Sequence, residues 1–171
     1  EKSLIKAEDY KILILSIGDT IPDMMWSKDI NGKYIYANNS ILKGLFYGLD
    51  YNSVIGKTDL EITKICKEKL GDENYTFGEV CGNSDLVVLD KLKKERFLEW
   101  GLINGKELYL EVYKAPFYKN GKVVGTVGTG RDVTDLYTSI RDAVLKNECR
   151  AQTNCYSSVI LKELDKYKFE A

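Results

Sequence analysis

The sequence predicts an α+β fold: a five-stranded antiparallel sheet with small helices on one face and further helices flanking it at both ends. Three Asn-Gly pairs lie between strand-like runs, at Asn31-Gly32, Asn104-Gly105 and Asn120-Gly121. Asn-Gly favours the positive φ that a type I′ hairpin needs at both central positions. A long stretch of helical rather than strand periodicity separates the first hairpin from the other two. The chain has 171 residues, 44% hydrophobic and 30% charged, enough for one domain with a sizeable core.

The elements follow in order. Ser3 to Ile17 carries Leu4, Ile5, Tyr10, Leu13, Ile14 and Ile17 at amphipathic helical spacing, and the helix stops before Pro22. Met24 to Lys28 and Lys33 to Ala37 read as the first two strands, rich in aromatic residues. Ser40 to Phe46 places Ile41, Leu42, Leu45 and Phe46 on one helical face, and Leu60 to Leu70 reads as a further short helix. Gly71 to Gly82 is polar and irregular, the pattern of a mobile loop over one face of the sheet. Ser84 to Leu92 reads as a helix capped by Asn83 or Ser84. Arg96 to Trp100, Glu107 to Tyr113 and Val123 to Thr129 are the last three strands. A long polar helix then begins, with Thr134 or Asp135 as its cap. Tyr137, Val144 and Ala151 recur every seven residues, and so do Ile140, Asn147, Asn154 and Leu161. This weak heptad seam has two Asn in core positions, which trade stability for register. Low helix propensity over Asn154 to Ser158 predicts a break, leaving Val159 to Tyr167 as a separate piece.

Composition narrows the function. The net charge of −1 offers neither a nucleic-acid surface nor an anionic-membrane surface. No apolar run approaches the roughly 20 residues that span a bilayer. Cys66, Cys81, Cys149 and Cys155 form no C-x-x-C pair and read as reduced thiols of a cytoplasmic protein. The chain contains no histidine. Ser-His-Asp and Cys-His catalysis, His-ligated haem, His-rich metal sites and a phosphoacceptor histidine are all excluded within it. Several acids and tyrosines occur, but none stand at catalytic spacing, so no enzyme is expected. Gly125, Gly128 and Gly130 do not match the dinucleotide fingerprint and read instead as a bulge or a close backbone approach. A start at Glu1 reads as a fragment of a longer protein.

Four motifs in the right order carry a family resemblance. Pro22-Asp23, Lys28-Asp29, Asn31-Gly32, Tyr34 and Asn38 resemble the opening of a PAS domain. Gly56-Lys57-Thr58-Asp59 is similar to that family's G-K-T-D turn. Glu111 to Pro116 resembles the end of its fourth strand, and Gly121 to Thr134 resembles its fifth strand with the closing D-[IV]-T. The resemblance implies a sensor domain at 19–135, an N-terminal flanking helix at 1–18 and a C-terminal signalling or coiled-coil region at 136–171. It also implies that Asp132 and Thr134 form a signal-transfer joint. Asp132 there can pair with a basic side chain while Thr134 caps the exit helix.

Such a fold curls its sheet around the small helices and often leaves a cavity. Expected ligand-binding residues are Trp26, Tyr36, Asn38, Trp100, Tyr113 and Thr126, with Lys114 as a further polar group. Alternation alone does not say which aromatics face inward, because a one-residue error reverses every assignment. Flavin photosensors of the family carry a reactive Cys in an N-C-R-F-L context, where this chain has Gly56-Lys57-Thr58-Asp59-Leu60. No cofactor is therefore assigned; a small organic ligand, a non-covalent flavin and an empty pocket remain. The expected function is a cytoplasmic sensory module that binds a small ligand. It passes a conformational signal through its C-terminal helix to an output domain outside this chain, of the histidine kinase or diguanylate cyclase type. The alternative is a ligand-free dimerisation or protein-interaction module. Expected partners are a second copy, paired through the flanking helices, and the linked output domain. Neither nucleic acid nor membrane is expected.

Overall fold

The computed structural model describes residues 6–148 and 168–169. Helix α1 (Ala7–Thr20) leads into strands β1 (Met24–Asp29) and β2 (Tyr34–Ala37). Four helices follow, α2 (Asn39–Gly44), α3 (Tyr51–Val54), α4 (Asp59–Leu70) and α5 (Phe77–Lys91). Strands β3 (Glu95–Ile103), β4 (Lys106–Lys119) and β5 (Lys122–Asp132) then run into α6 (Thr134–Glu148). A short strand β6 (Lys168–Phe169) pairs in parallel with β3. The sheet order is β2-β1-β5-β4-β3-β6, and the five predicted strands form its antiparallel part.

Local chemistry sets most boundaries. Asn104-Gly105 and Asn120-Gly121 hold positive φ at both positions, as type I′ hairpins require. At the first Asn-Gly pair only Gly32 does so. That turn is longer and is organised by the Asp29 carboxylate, which accepts the N–H groups of Asn31 and Lys33. Asn38 caps α2 by accepting from Ile41 N–H, and Thr58 with Glu61 forms a capping box on α4.

Two expectations are corrected between Gly71 and Leu92. Helix α5 starts at Phe77 rather than Ser84, so Asn83 and Ser84 are interior and cap nothing. Ser84 Oγ instead lies 3.3 Å from the Val80 carbonyl and 3.1 Å from the Cys81 carbonyl, inside its own helix. Gly71 to Thr76 is irregular as expected, but Phe77 to Gly82 is the first part of α5, and Tyr75, Phe77 and Val80 are buried. Their burial outweighs the low helix propensity of Gly78, Gly82 and Asn83.

Strand register separates the two faces. The pairs Trp26↔Gly128, Lys28↔Thr126, Lys114↔Gly128, Phe97↔Val112 and Glu99↔Leu110 put these residues on the inner face. Helices α2, α4 and α5 cover that face, closing a core that includes Ile41, Val54, Ile62, Phe77, Val88 and Val112. The outer face carries Leu98, Trp100, Tyr109 and Tyr113. Helix α6 packs there, with Tyr137 stacked on Tyr109 at 4.0 Å between centroids and Tyr109 in turn on Trp100 at 6.1 Å. Tyr137 and Val144, two positions of the heptad series, are buried within their own chain. Ala151, Asn154 and Leu161 of the seam, the expected break and the piece at Val159 to Tyr167 lie outside the described residues, as do Cys149 and Cys155. Among the described residues no helix is long and apolar enough to cross a membrane.

Candidate functional site

The inner face buries a charge network contributed by five elements. Lys28 on β1 lies 2.5 Å from Asp59 at the start of α4 and 2.6 Å from Asp85 on α5. Lys114 on β4 lies 2.9 Å from the other Asp85 oxygen and 3.0 Å from Glu99 on β3. Tyr34 donates to Asp59 over 2.8 Å, and Lys114 donates to Ser84 Oγ over 2.5 Å and to the Cys81 carbonyl over 2.9 Å. Ser84 in turn donates to Glu99. Every charged member is buried. Isolated, each would cost several kcal/mol to bury; together they satisfy one another.

The protonation states follow from this geometry. Burial disfavours ionised Lys28 and Lys114, but the surrounding carboxylates outweigh it and raise both ammonium pKa values. Burial also opposes ionisation of Asp85, yet two lysines bridge it and hold its carboxyl below the usual value. Of the two lysines, only Lys28 contacts Asp59. Burial, helped by the nearby Asp85 carboxylate, pushes the Asp59 carboxyl up against the pull of Lys28. Asp59, Asp85 and Glu99 thus share two ammoniums, and the surplus falls on Asp59.

A cleft of about 540 Å³ opens onto this network. It lies between the Asp29–Gly32 turn, the first turn of α4 and one side of α5, with Asp59, Asp85 and Thr126 among its walls. Its volume is in the range that holds small organic ligands. Thr126 is 1% exposed, and its hydroxyl has no hydrogen-bond partner among the described residues. The Trp26 indole N–H is likewise unpartnered there. Trp26 lies flat over β5, where a Cβ on Gly128 would stand 2.5 Å from its ring, so only glycine permits this approach.

The six expected ligand residues divide into three groups. Trp26 and Thr126 share the inner face, and Thr126 lines the cleft. Tyr36, Trp100 and Tyr113 are on the outer face, Trp100 within the stack under α6 and Tyr113 39% exposed. Asn38 ties the chain together: its Nδ2 donates to the Gly18 and Asp23 carbonyls, and its Oδ1 accepts from Met25 and Ile41 N–H. Lys114 belongs to the charge network. Lys28, Asp59, Asp85 and Glu99 were missed as site residues. A signal existed: Lys28 is in phase with Met24 and Trp26, and Glu99 with Phe97, so each interrupts an apolar strand face.

At the strand-to-helix joint, Asp132 Oδ1 accepts from Thr134 N–H at 2.9 Å and from Thr134 Oγ at 2.6 Å. Thr134 Oγ accepts from Tyr109 N–H at 3.0 Å, locking the start of α6 to β4. The cap is therefore Asp132 rather than Thr134 or Asp135. Among the described residues no cation takes up the expected pairing with Asp132; the neighbouring Arg131 clasps Asp23 at 2.8 Å. Cys66 and Cys81 are free and buried, and burial pushes the Cys66 thiol up to about 11. Both therefore stay protonated and unreactive. Among the described residues no cluster of acids and cysteines could hold a metal ion.

Solved structures share this architecture. The complex of phage VqmA with DPO is similar at a TM-score of 0.56 and 24% identity, covering 81% of this chain and 60% of that one. This chain thus spans about 60% of the length of that protein. The PAS domain of Bordetella pertussis BvgS matches at a TM-score of 0.52 and 16% identity, covering 80% of this chain and 94% of that one. An RNA-binding light-oxygen-voltage receptor matches at 0.57 and 15%, covering 88% and 40%. At these identities the likeness is one of fold. No curated protein matches the sequence. The family model of the PAS fold matches residues 19–138, well over half of the sequence, and the chain belongs to that family.

Proposed function

We propose that this chain is the ligand-responsive sensory module of a larger cytoplasmic signalling protein. One observation carries the reading: a ligand-sized cleft opens on a buried charge network and an unpartnered hydroxyl, all tied to the strands that lead into α6. A ligand contacting Thr126 would act on β5, which ends at Asp132. Glu99 and Trp100 are adjacent on β3, one in the network and the other in the stack beneath α6. A shift of the network therefore has a short mechanical route to the exit helix. The VqmA complex with DPO is a precedent for a ligand-bound protein of this fold.

In this proposal residues 19–135 sense, the helix before them pairs with a second copy, and residues 136–171 pass the signal to a linked output domain of the histidine kinase or diguanylate cyclase type. Asp132 and Thr134 transmit it. The module itself does no catalysis, and with a net charge of −1 it contacts neither nucleic acid nor membrane.

A native mass spectrum of the protein purified without added ligand tests this reading. A small molecule retained in the folded protein supports it. A ligand-free protein whose stability is also unmoved by a broad metabolite panel overturns it in favour of the dimerisation module. That second reading has its own support. Tyr10, Leu13, Ile14 and Ile17 form an exposed stripe on α1, beside an outer-face groove of about 630 Å³ that includes Met25, Ile35, Phe117 and Val127.

A further inference from the structure

The cleft has a charge that its walls leave unbalanced. Asp29, Asp59 and Asp85 line it, and among the described residues no lysine or arginine does. Lys28 and Lys114 reach the network from the sheet beneath. They leave one carboxylate in excess among Asp59, Asp85 and Glu99. Thr126, 1% exposed, adds a hydroxyl that nothing among the described residues engages. Beside these polar groups stand Ile30, Leu60 and Leu89.

We infer that the cleft selects a small primary ammonium compound with an apolar body, bound against Asp59, Asp85 and Thr126. This rests on the ligand-sensing reading above and specifies its chemistry. An ammonium brings one positive charge and three donors. The charge balances the surplus carboxylate, and a donor reaches the unpartnered Thr126 oxygen. An anionic ligand would add a second uncompensated charge to a buried acidic site, which costs several kcal/mol. A neutral ligand of the same shape would leave the surplus in place. Burial raises the Asp59 carboxyl against the pull of Lys28, and an ammonium beside it would favour the ionised form. The aliphatic wall suits an alkyl or aryl body of the ligand rather than a second charge.

The test uses matched sets that differ only in the head group: phenethylamine, phenethyl alcohol and hydrocinnamate, and hexylamine, hexanol and heptanoate. Calorimetric titration measures affinity, and amide chemical-shift changes locate the binding. The amines should bind at least about tenfold tighter than their alcohols and more tightly still than the acids. The shifts should centre on Asp59, Asp85 and Thr126. Asp59→Asn should remove the preference for the amine. Thr126→Val, which keeps the shape, should weaken amine binding about three- to tenfold without lowering the melting temperature. The second variant keeps the test decisive where the first fails to fold. Equal or tighter binding of alcohol or acid in the cleft overturns the ammonium assignment and leaves the sensor reading standing. Shifts confined to the outer groove, or no binding by any member at millimolar concentration, also overturn the assignment. The native mass spectrum then judges the sensor reading separately.

Discussion

On the inner face of the sheet, Lys28, Glu99 and Lys114 are buried with their counter-charges from α4 and α5. The outer face of the same strands presents aromatic and aliphatic side chains, some stacked beneath α6 and others exposed along the groove beside α1. The usual expectation puts charge outside and apolar groups inside. Both departures have a physical reason. A charge can be buried where partners from several elements meet it at 2.5–3.0 Å. An apolar surface persists outside where another element covers it, as α6 does, or where a partner would. The inner face thus buries charge against charge, and the outer face carries α6.

The sharpest way to break this contrast is to remove one inner charge. Lys114→Met strands Glu99 and half of Asp85, and should cost about 3–5 kcal/mol in urea unfolding. Tyr137→Ala on the outer face should cost less, about 2–4 kcal/mol, through loss of the stack on Tyr109. Hydrogen exchange should then rise along α6 while the amides around Asp59 and Asp85 stay protected. Equal loss of protection on both faces would mean that they are not separable. Asp132→Ala should remove the cap at Thr134 N–H for about 1 kcal/mol, read as fraying confined to the first turn of α6.

Asp59→Asn should change stability least at acid pH. The folded-state carboxyl of Asp59 is raised, so the native state binds its proton more tightly than the unfolded chain does. Wild-type stability from this group falls as pH rises from the ordinary carboxyl value of 3.8 through the raised one. The variant lacks that loss, so its stability relative to wild type should climb over the same window. Asp85 has the opposite sign. Its stabilisation is present above its unfolded pKa and is lost as pH falls through the lowered folded one. Parallel melting temperatures of wild type and Asp59→Asn across this window would show that Asp59 carries no surplus charge.

The sheet was largely legible because its signals are local. Asn104-Gly105 and Asn120-Gly121 encode their turns in two residues, and both hold the positive φ expected. The capped helix at Thr58 was equally local, although only its body was read as helical. The start of α5 was not legible, since Gly78, Gly82 and Asn83 argue against a helix that the burial of Phe77 and Val80 makes favourable. The ligand residues were legible as types but not as a group. A bulge between Ser27 and Lys28 sets Tyr34 opposite Lys28 and Tyr36 opposite Ser27, so two tyrosines two residues apart face opposite sides.

By itself, then, the amino-acid sequence determined the hairpins, the order of strands and helices and the exclusion of histidine chemistry. Each depends on residue type or near-neighbour spacing. The tertiary structure alone decided that Lys28, Asp59, Asp85, Glu99 and Lys114 form one buried network with a negative surplus. Coulomb interaction inside a protein depends on distance in space and on exclusion of water, and only folding brings residues 86 positions apart (Lys28 and Lys114) to the same carboxylate.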